Sequence, residues 1–275
     1  MAKVALVQMR SSTEMARNVR NAEALVREAA ATGAAYVQTP EVSNIFEPDK
    51  ERLRAVIAAE ADDPLVRRFA ALAQELEIHL HAGSVAVKAD DGRIANRSLV
   101  FAPDGKIVAR YDKIHLFDID LPNGESYRES ATYAPGETAV LAELPFAKIG
   151  LCICYDVRFP RLANAYATAG ASVLTYPAAF TVPTGEAHWH VLLRARAIET
   201  GSFVLTAAQG GDHDGGKSTY GHSLVISPWG EVLAEAGTEP CVITAEIDPE
   251  ASVLARQRIP ALKNARSFKT SWTSA

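Results

Sequence analysis

The run GLCICYDVRFP at residues 150–160 holds the side chain best suited to covalent chemistry, the thiol of Cys154. Branched apolar residues at Ile149, Leu151 and Ile153 predict a buried strand, and the charges and proline that follow predict a turn into a helix. Backbone N–H groups in such a turn favour a thiolate and the anion that it generates on attacking a carbonyl. The run therefore predicts a nucleophilic cysteine beyond a strand end.

The same run also has a purely structural interpretation. Free cysteine is one of the most frequently buried residue types, so an isolated cysteine at a strand end is more often part of the core than a nucleophile. Cys152 lies two positions before Cys154 and, by strand periodicity, on the same face, so either thiol fits either role. Residues elsewhere in the chain have to decide between them.

Two charged residues follow other predicted strands in the same way. One strand ends in Pro40 and Glu41, and a hairpin with a proline, acid and glycine turn at 103–105 runs directly into Lys113. Strand ends converge on one site in layered α/β folds, so we expect Glu41, Lys113 and Cys154 to meet. Each alone is more often an ordinary surface or core residue, and only their joint order favours a site.

Alternating strands and helices must position these residues. No break in composition divides the chain, so we expect one domain over residues 1–275, with a polar, basic tail from about 260 to 275. Residues 114–136 predict a long functional loop, which contains Glu125 and Glu129. The predicted strands are 3–9, 34–39, 78–87, 96–102, 106–112, 149–153, 172–176, 202–209, 220–227, 231–236 and 241–247, and the predicted helices are 14–31, 64–77, 161–168 and 186–200.

The composition excludes several classes of protein. With 275 residues, 48% hydrophobic and 22% charged, the chain is typical of a globular protein with a large core. It has no apolar run long enough for a membrane span and no signal-peptide pattern, and its net charge of −5 provides no basic stripe for nucleic acid. Three cysteines without metal spacing predict reduced thiols. We expect a cytoplasmic protein with a small-molecule partner.

Histidines were the remaining candidates for a metal site. His188 and His190 are two positions apart and do not share a helix face, and no third ligand, His115 included, is spaced to join them. We therefore expect no metal and no cofactor. Arg194 and Arg196 are more simply explained as helix-packing ion pairs.

The motifs around these candidates resemble the nitrilase superfamily of carbon–nitrogen hydrolases, which has a glutamate, lysine and cysteine triad. The resemblance runs almost end to end and is sharpest towards the Nit branch of ω-amidases and deaminated glutathione amidases. It rests on PE at 40–41, YDKIHLFD at 111–118, GLCICYDVRFP at 150–160, AFTVPTGEAHWHVLLRARAIET at 179–200 and YGHSLVISPWGEVLAEAGTE at 220–239.

The resemblance implies a fold, an assembly and a set of catalytic roles. The fold is an α/β four-layer αββα sandwich in which helices flank two mixed β-sheets, and the assembly is a homodimer through helices of the outer layer. Cys154 attacks the amide carbonyl to form a thioester, and Glu41 transfers the protons. Lys113, with the backbone N–H of Tyr155, stabilises the oxyanion, and Glu129 binds Lys113 and orients the amide.

The same resemblance suggests how substrate is bound. Arg158 is the candidate anchor for a substrate carboxylate, with Phe180 lining the pocket and Thr184 donating a hydroxyl, although an ion pair between Arg158 and Asp156 explains that arginine equally well. The segment at 207–223 favours deaminated glutathione as substrate, ahead of an α-keto acid ω-amide such as 2-oxoglutaramate. The alternatives are a broad aliphatic amidase, an N-carbamoyl amide hydrolase, an acyltransferase or a non-catalytic binding module on this fold.

Overall fold

The structure is a computed structural model that describes residues 1–89, 92–121 and 124–273. Pro122 and Asn123 of the expected loop, and Ser274 and Ala275 of the expected tail and domain, lie outside the described residues. Within the described ranges no helix combines the length and the apolar character that crossing a membrane requires.

Strands and helices alternate along the described chain, as the sequence pattern predicts. The strands are β1 (Ala2–Gln8), β2 (Tyr36–Gln38), β3 (His79–Lys88), β4 (Ile94–Phe101), β5 (Ile107–Asp112), β6 (Asp118–Asp120), β7 (Ser126–Arg128), β8 (Leu141–Leu144), β9 (Ala147–Leu151), β10 (Val173–Thr175), β11 (Phe203–Thr206), β12 (Gly210–Asp212), β13 (Ser218–Tyr220), β14 (Leu224–Ile226), β15 (Val232–Glu235) and β16 (Cys241–Ile247). The helices are α1 (Met15–Ala31), α2 (Lys50–Val56), α3 (Pro64–Leu76), α4 (Pro160–Thr168), α5 (Val182–Thr200), α6 (Glu250–Arg258) and α7 (Ala261–Asn264).

Two six-stranded sheets carry the fold. Their strand orders are β16-β1-β2-β3-β4-β5 and β15-β14-β11-β10-β9-β8. In each sheet, strands joined through helices pair in parallel near the centre, and hairpins add antiparallel strands outside them. Both sheets are therefore mixed, as the resemblance implies.

Packing arranges the two sheets and their helices in four layers. One face of the first sheet packs against α1 and α3, whose buried residues recur at helical spacing, as at Ala22, Val26 and Ala29. The other face, with Val4 and Leu6, packs against the second sheet, whose outer face is covered by α4 and α5. The order helix, sheet, sheet and helix confirms the αββα sandwich.

Local signals at the helix ends explain where several helices begin and stop. The Asp63 side chain accepts hydrogen bonds from the N–H groups of Leu65 and Val66 and so caps α3, which has Pro64 in its first turn. α5 stops at the predicted Gly201 but begins at Val182, four residues before the predicted start at Glu186.

Some elements differ from the sequence-based predictions. The helix α2 was not predicted because it is only 7 residues long, although Asp49 caps it as a standard start signal. The hairpin of β12 and β13 was missed because strands of 3 residues are too short to show alternation. The strand before Cys154 ends at Leu151, so the prediction that strand periodicity places Cys152 and Cys154 on one face was wrong.

Candidate active site

Three predicted site residues come together where strands of the two sheets end. Glu41 follows β2 after the Thr39–Pro40 link, Lys113 directly follows β5, and Cys154 begins a 3₁₀ turn (Cys154–Arg158) just after β9. All three side chains are buried and line one cavity. The expectation that these strand ends converge is confirmed in the geometry.

Close packing of the first sheet fixes the position of Glu41. A Cβ atom built at Gly83 of β3 would lie 2.0 Å from the carbonyl oxygen of Thr39, so only glycine lets this segment approach so closely. Beyond it, the Glu41 carbonyl oxygen accepts a hydrogen bond of 2.9 Å from Gln209. Its carboxylate Oε2 accepts one of 2.8 Å from the N–H of Ala179. Packing against β3 of the first sheet and hydrogen bonds from segments that follow β10 and β11 of the second sheet therefore fix Glu41.

The ammonium of Lys113 lies between two carboxylates. Its Nζ is 2.9 Å from Glu41 Oε1 and 3.0 and 2.9 Å from the two oxygens of Glu129. Burial acts to lower the pKa of Lys113, but the carboxylates of Glu129 and Glu41 outweigh it and raise that pKa well above its ordinary value. Lys113 is therefore a permanent cation that cannot act as a base.

The predicted loop glutamate is Glu129, which the structure distinguishes from Glu125. Glu129 begins a short 3₁₀ turn (Glu129–Ala131), and its Oε2 accepts a hydrogen bond of 2.6 Å from the N–H of Phe117. Glu125 is exposed and accepts from the hydroxyl of Tyr127. Glu129 alone of the two contacts Lys113.

Cys154 has the backbone of a positioned residue. Its φ is +48°, in the left-handed region that non-glycine residues rarely adopt, and its N–H donates to the carbonyl of Pro177 at 2.9 Å. Burial, followed by the carboxylate of Glu41, raises the pKa of Cys154 well above its ordinary value, although Lys113 opposes this shift. The resting thiol is therefore protonated at neutral pH.

Cys152 occupies a different environment. It is fully buried, and burial raises its pKa well above the ordinary value, with the carboxylate of Asp156 adding to the shift. Of the two cysteines, Cys154 lines the cavity and Cys152 does not. The local geometry therefore separates the two thiols that the sequence run left equivalent.

Asn96 is a site residue that the sequence-based reasoning missed. It lies in β4, is 1% exposed and lines the cavity. Its Nδ2 donates to Glu41 Oε1 at 2.9 Å and to Glu129 Oε1 at 3.3 Å. The available signal was a polar side chain in a buried strand, which Asn96 shares with Ser98 of the same strand.

The predicted substrate contacts fall into two groups. Phe180 and Thr184 line the cavity, and the Thr184 hydroxyl lies 2.8 Å from that of Thr181. Tyr155 is the second residue of the 3₁₀ turn, where N–H groups have no partner within the turn. Arg158 is not among the described residues that line the cavity. The roles predicted for these four residues stay predictions.

Arg158 lies behind the cavity wall. Its guanidinium carbon is 5.5 Å from the ring centre of Phe180 and 5.9 Å from that of Tyr155, and its Nη2 is 3.3 Å from His188 Nδ1. The alternative ion pair with Asp156 is not formed in the described structure. The Asp156 carboxylate instead accepts from the Tyr111 hydroxyl at 2.6 Å and from backbone N–H groups of Ile153 and His115, and it lies 2.7 Å from the His115 ring nitrogen.

The cavity has a volume of about 460 Å³ and a wall of mixed character. Aromatic rings, including Phe117 and Phe180, cover much of it. Besides Lys113, the cations among its described lining residues are Lys50, Arg128 and Lys217. Three carboxylates, of Glu41, Glu47 and Glu129, also line it, so the cavity offers a small molecule both cationic and anionic groups.

Comparisons with known proteins agree with this arrangement. The sequence profile of the family described as carbon-nitrogen hydrolase matches residues 3–257. "Omega-amidase NIT2" of Homo sapiens is 39% identical over 265 residues, which are 96% of this chain and 95% of that protein.

Solved structures show the same fold. Nit3 of Saccharomyces cerevisiae, a member of branch 10 of the nitrilase superfamily, superposes with a TM-score of 0.85 at 33% identity over 94% of each chain. An amidase from Nesterenkonia sp. AN1, in which acrylamide added to the active-site cysteine, superposes with a TM-score of 0.78 at 25% identity, over 94% of this chain and 98% of that one. The chain therefore belongs to the carbon–nitrogen hydrolase family and is an amidase.

Proposed function

We propose that this protein is an ω-amidase, which hydrolyses the terminal amide of a small carboxylate-bearing substrate through a thioester on Cys154. The observation that carries the proposal is that a buried thiol, a buried ammonium, a buried carboxylate and a second, partly buried carboxylate line a single cavity. A cysteine, a base and an oxyanion-stabilising cation are the groups that acyl transfer from an amide requires.

In the proposed first half-reaction, the thiol sulfur of Cys154 attacks the amide carbonyl carbon while Glu41 accepts the thiol proton. The carbonyl oxygen becomes an oxyanion, and the ammonium of Lys113 and the N–H of Tyr155 stabilise it. Glu41 then passes its proton to the leaving nitrogen, the carbon–nitrogen bond breaks, and ammonia departs from the thioester.

The second half-reaction reverses these roles with water as the nucleophile. Glu41 accepts a proton from the water as its oxygen attacks the thioester carbonyl. The carbon–sulfur bond then breaks, the proton returns to Cys154, and the carboxylic acid departs. Glu129 does not exchange protons in this scheme. It anchors Lys113 and orients the substrate amide.

We place an α-keto acid ω-amide such as 2-oxoglutaramate ahead of deaminated glutathione, which reverses the order expected from the 207–223 segment. The full-length similarity to proteins named ω-amidases supports this order. For the substrate carboxylate, Arg128 and Lys217 of the cavity wall are better placed than Arg158. Arg128 is paired with Asp120, whereas Lys217 lies 5.1 Å from the ring centre of Tyr127.

The test compares ammonia release from 2-oxoglutaramate, deaminated glutathione and a simple aliphatic amide, with mass spectrometry of the enzyme during turnover. We expect a mass increase on Cys154 that matches the acyl group, and no ammonia from Cys154→Ala. Equal kcat/KM for the aliphatic amide would refute the carboxylate requirement. Product formation that depends on the concentration of an added amine would instead identify an acyltransferase. The absence of any acyl-enzyme would identify a non-catalytic binding module.

The assembly is proposed as a homodimer through the outward faces of α5 and α6. Val191 and Ile198, seven positions apart on one face of α5, are 69 and 53% exposed, and Leu254 of α6 is 45% exposed. Light scattering should give twice the monomer mass, and Val191→Lys with Ile198→Lys should give monomers. A monomeric wild type would refute the dimer. The free thiols of Cys152, Cys154 and Cys241 support the proposed cytoplasmic location.

A further inference from the structure

Three side chains outside the proposed reaction meet beside α5. His190 lies on that helix, His222 follows β13, and Glu235 ends β15. Glu235 Oε1 is 2.9 Å from His190 Nε2 and 3.0 Å from His222 Nδ1. One ligand atom from each of the three residues lies within 4.8 Å of the other two. Elements distant in the sequence therefore bring two imidazoles and a carboxylate to one point.

The spacing of these atoms is close to that of a zinc site. Zinc binds nitrogen and oxygen at about 2.0–2.2 Å in a tetrahedron, which separates neighbouring ligand atoms by about 3.3 Å. The two distances to Glu235 fall within about 0.4 Å of that value. The ligand nitrogens of the two histidines lie within 4.8 Å of each other. The side chains of His190 and Glu235 are 33 and 39% exposed, which leaves them room to rotate toward tetrahedral spacing.

The backbone holds His222 in place. Its φ is +53°, a left-handed conformation that costs a non-glycine residue free energy, and such strain persists only where neighbouring contacts fix it. Its N–H donates to the carbonyl of Gly237 at 2.8 Å, and its own carbonyl accepts from the indole N–H of Trp189 at 2.8 Å. Its ring stacks on that of Tyr220, with centres 4.4 Å apart. The imidazole is thus oriented before any ion binds.

Glu235 provides the negative charge that the site needs. Its carboxylate oxygen Oε1 faces the ring nitrogens of both His190 and His222. Two neutral imidazoles and one carboxylate form a donor set that zinc prefers, and three protein ligands leave one position for water.

We propose that His190, His222 and Glu235 bind a zinc ion, with water as the fourth ligand. The proposal goes beyond the amidase reaction, which needs no metal. It also corrects the reasoning that no third ligand could join His190, since that reasoning considered local spacing only. The ion links α5 to the hairpins that carry His222 and Glu235. Tyr220, stacked on His222, packs against Gly185 of α5, next to Thr184 of the cavity wall, so the ion stabilises the same wall.

The experiment has to exclude zinc binding by thiols. We would use the full chain with Cys154→Ala and Cys241→Ser, remove metal with a chelator, and titrate zinc chloride by calorimetry. Removing a residue that only hydrogen-bonds to a metal ligand already lowers metal affinity about 10- to 100-fold. Glu235→Gln and His190→Phe each change a ligand itself, so each should lower the zinc affinity at least about 10-fold. Glu231→Gln removes a charge from the same hairpin outside the cluster and should bind zinc like its parent.

Cobalt provides an independent readout. Cobalt(II) in this site should show the visible absorption of tetrahedral nitrogen and oxygen ligation, without the near-ultraviolet band of thiolate ligation. Zinc should raise the thermal midpoint of the parent and of Glu231→Gln, but not that of Glu235→Gln. One zinc site with these losses supports the proposal. Zinc affinity unchanged in Glu235→Gln, or no measurable binding to the parent, would overturn it, whatever the amidase activity.

Discussion

The amide of Asn96 offers the sharpest test of how the proposed active site is positioned. Among the described residues, it is the only uncharged group that donates hydrogen bonds to both Glu41 and Glu129. In Asn96→Ala, Lys113 would still lie between the two carboxylates, but Glu41 would lose one of the two donors to its Oε1. We expect the base to remain present but less well oriented.

The magnitude follows from the two distances. A hydrogen bond to a charged group contributes about 1.5–3 kcal/mol, and the bond of 2.9 Å to Glu41 accounts for most of this effect, since the bond of 3.3 Å to Glu129 is long. A loss of that size in the transition state lowers the rate about 10- to 100-fold. Because Asn96 is assigned to orienting Glu41 rather than to binding substrate, we expect the loss mainly in kcat.

The assay is steady-state ammonia release, with the folded fraction measured in the same samples. Asn18→Ala is the matched control, because Asn18 is an equally buried asparagine whose amide bonds Ser12 and Asn44 and does not line the cavity. It should lose stability but keep kcat per folded molecule. If Asn96→Ala kept the wild-type kcat, or if both variants lost kcat equally, the positioning role would be refuted.

Three further predictions concern pH and packing. Because the pKa of Cys154 lies well above the ordinary value, its rate of reaction with iodoacetamide should keep rising above about pH 8.5. Cys152, which does not line the cavity, should stay unlabelled. Preferential labelling of Cys152, detected by peptide mapping, would contradict this. Burial lowers the pKa of His81 to about 3, so as pH falls below about 6.5 only the unfolded state takes up this proton. The free energy of unfolding should therefore fall by up to about 1.4 kcal/mol per pH unit. Urea unfolding of His81→Gln should lack this slope, and an unchanged slope would contradict the assignment. Gly185→Ala should lower the thermal midpoint despite alanine's higher helix propensity, because its Cβ would lie 2.1 Å from the Tyr220 ring; a raised midpoint would show that the ring moves away freely.

The sequence allowed the strand ends to be predicted because they follow from local rules. Proline before Glu41 and the turn before Lys113 mark strand exits, and convergence of strand ends in layered α/β folds brings these residues to Cys154. The directions of side chains in the segments between these elements could not be predicted from local rules. Whether Arg158 faces the cavity depends on the angle of one 3₁₀ turn, and the aromatic rings of Tyr155 and Phe180 that flank it are set by packing.

Residues on remote elements were the hardest to predict. Asn96 was missed because its significance lies in two carboxylates on other segments, and no local pattern points to them. The partners of His190 were missed for the same reason, since His222 follows β13 and Glu235 ends β15, both outside α5. Local sequence patterns fix the order and ends of elements, whereas such contacts depend on tertiary packing.

The charge balance of the site constrains the order of events in the proposed reaction. Glu41, Glu129 and Lys113 together carry one net negative charge and line the same cavity as the thiol of Cys154, with Glu41 and Lys113 buried and Glu129 partly buried. Burial and, after it, the carboxylate of Glu41 raise the pKa of Cys154, because a thiolate formed before substrate binds would be a second negative charge at low dielectric. Proton transfer to Glu41 must therefore accompany attack on the amide, when the new charge develops on the carbonyl oxygen near Lys113. Burial and the Glu41 carboxylate thus keep this thiol protonated until a carbonyl occupies the site.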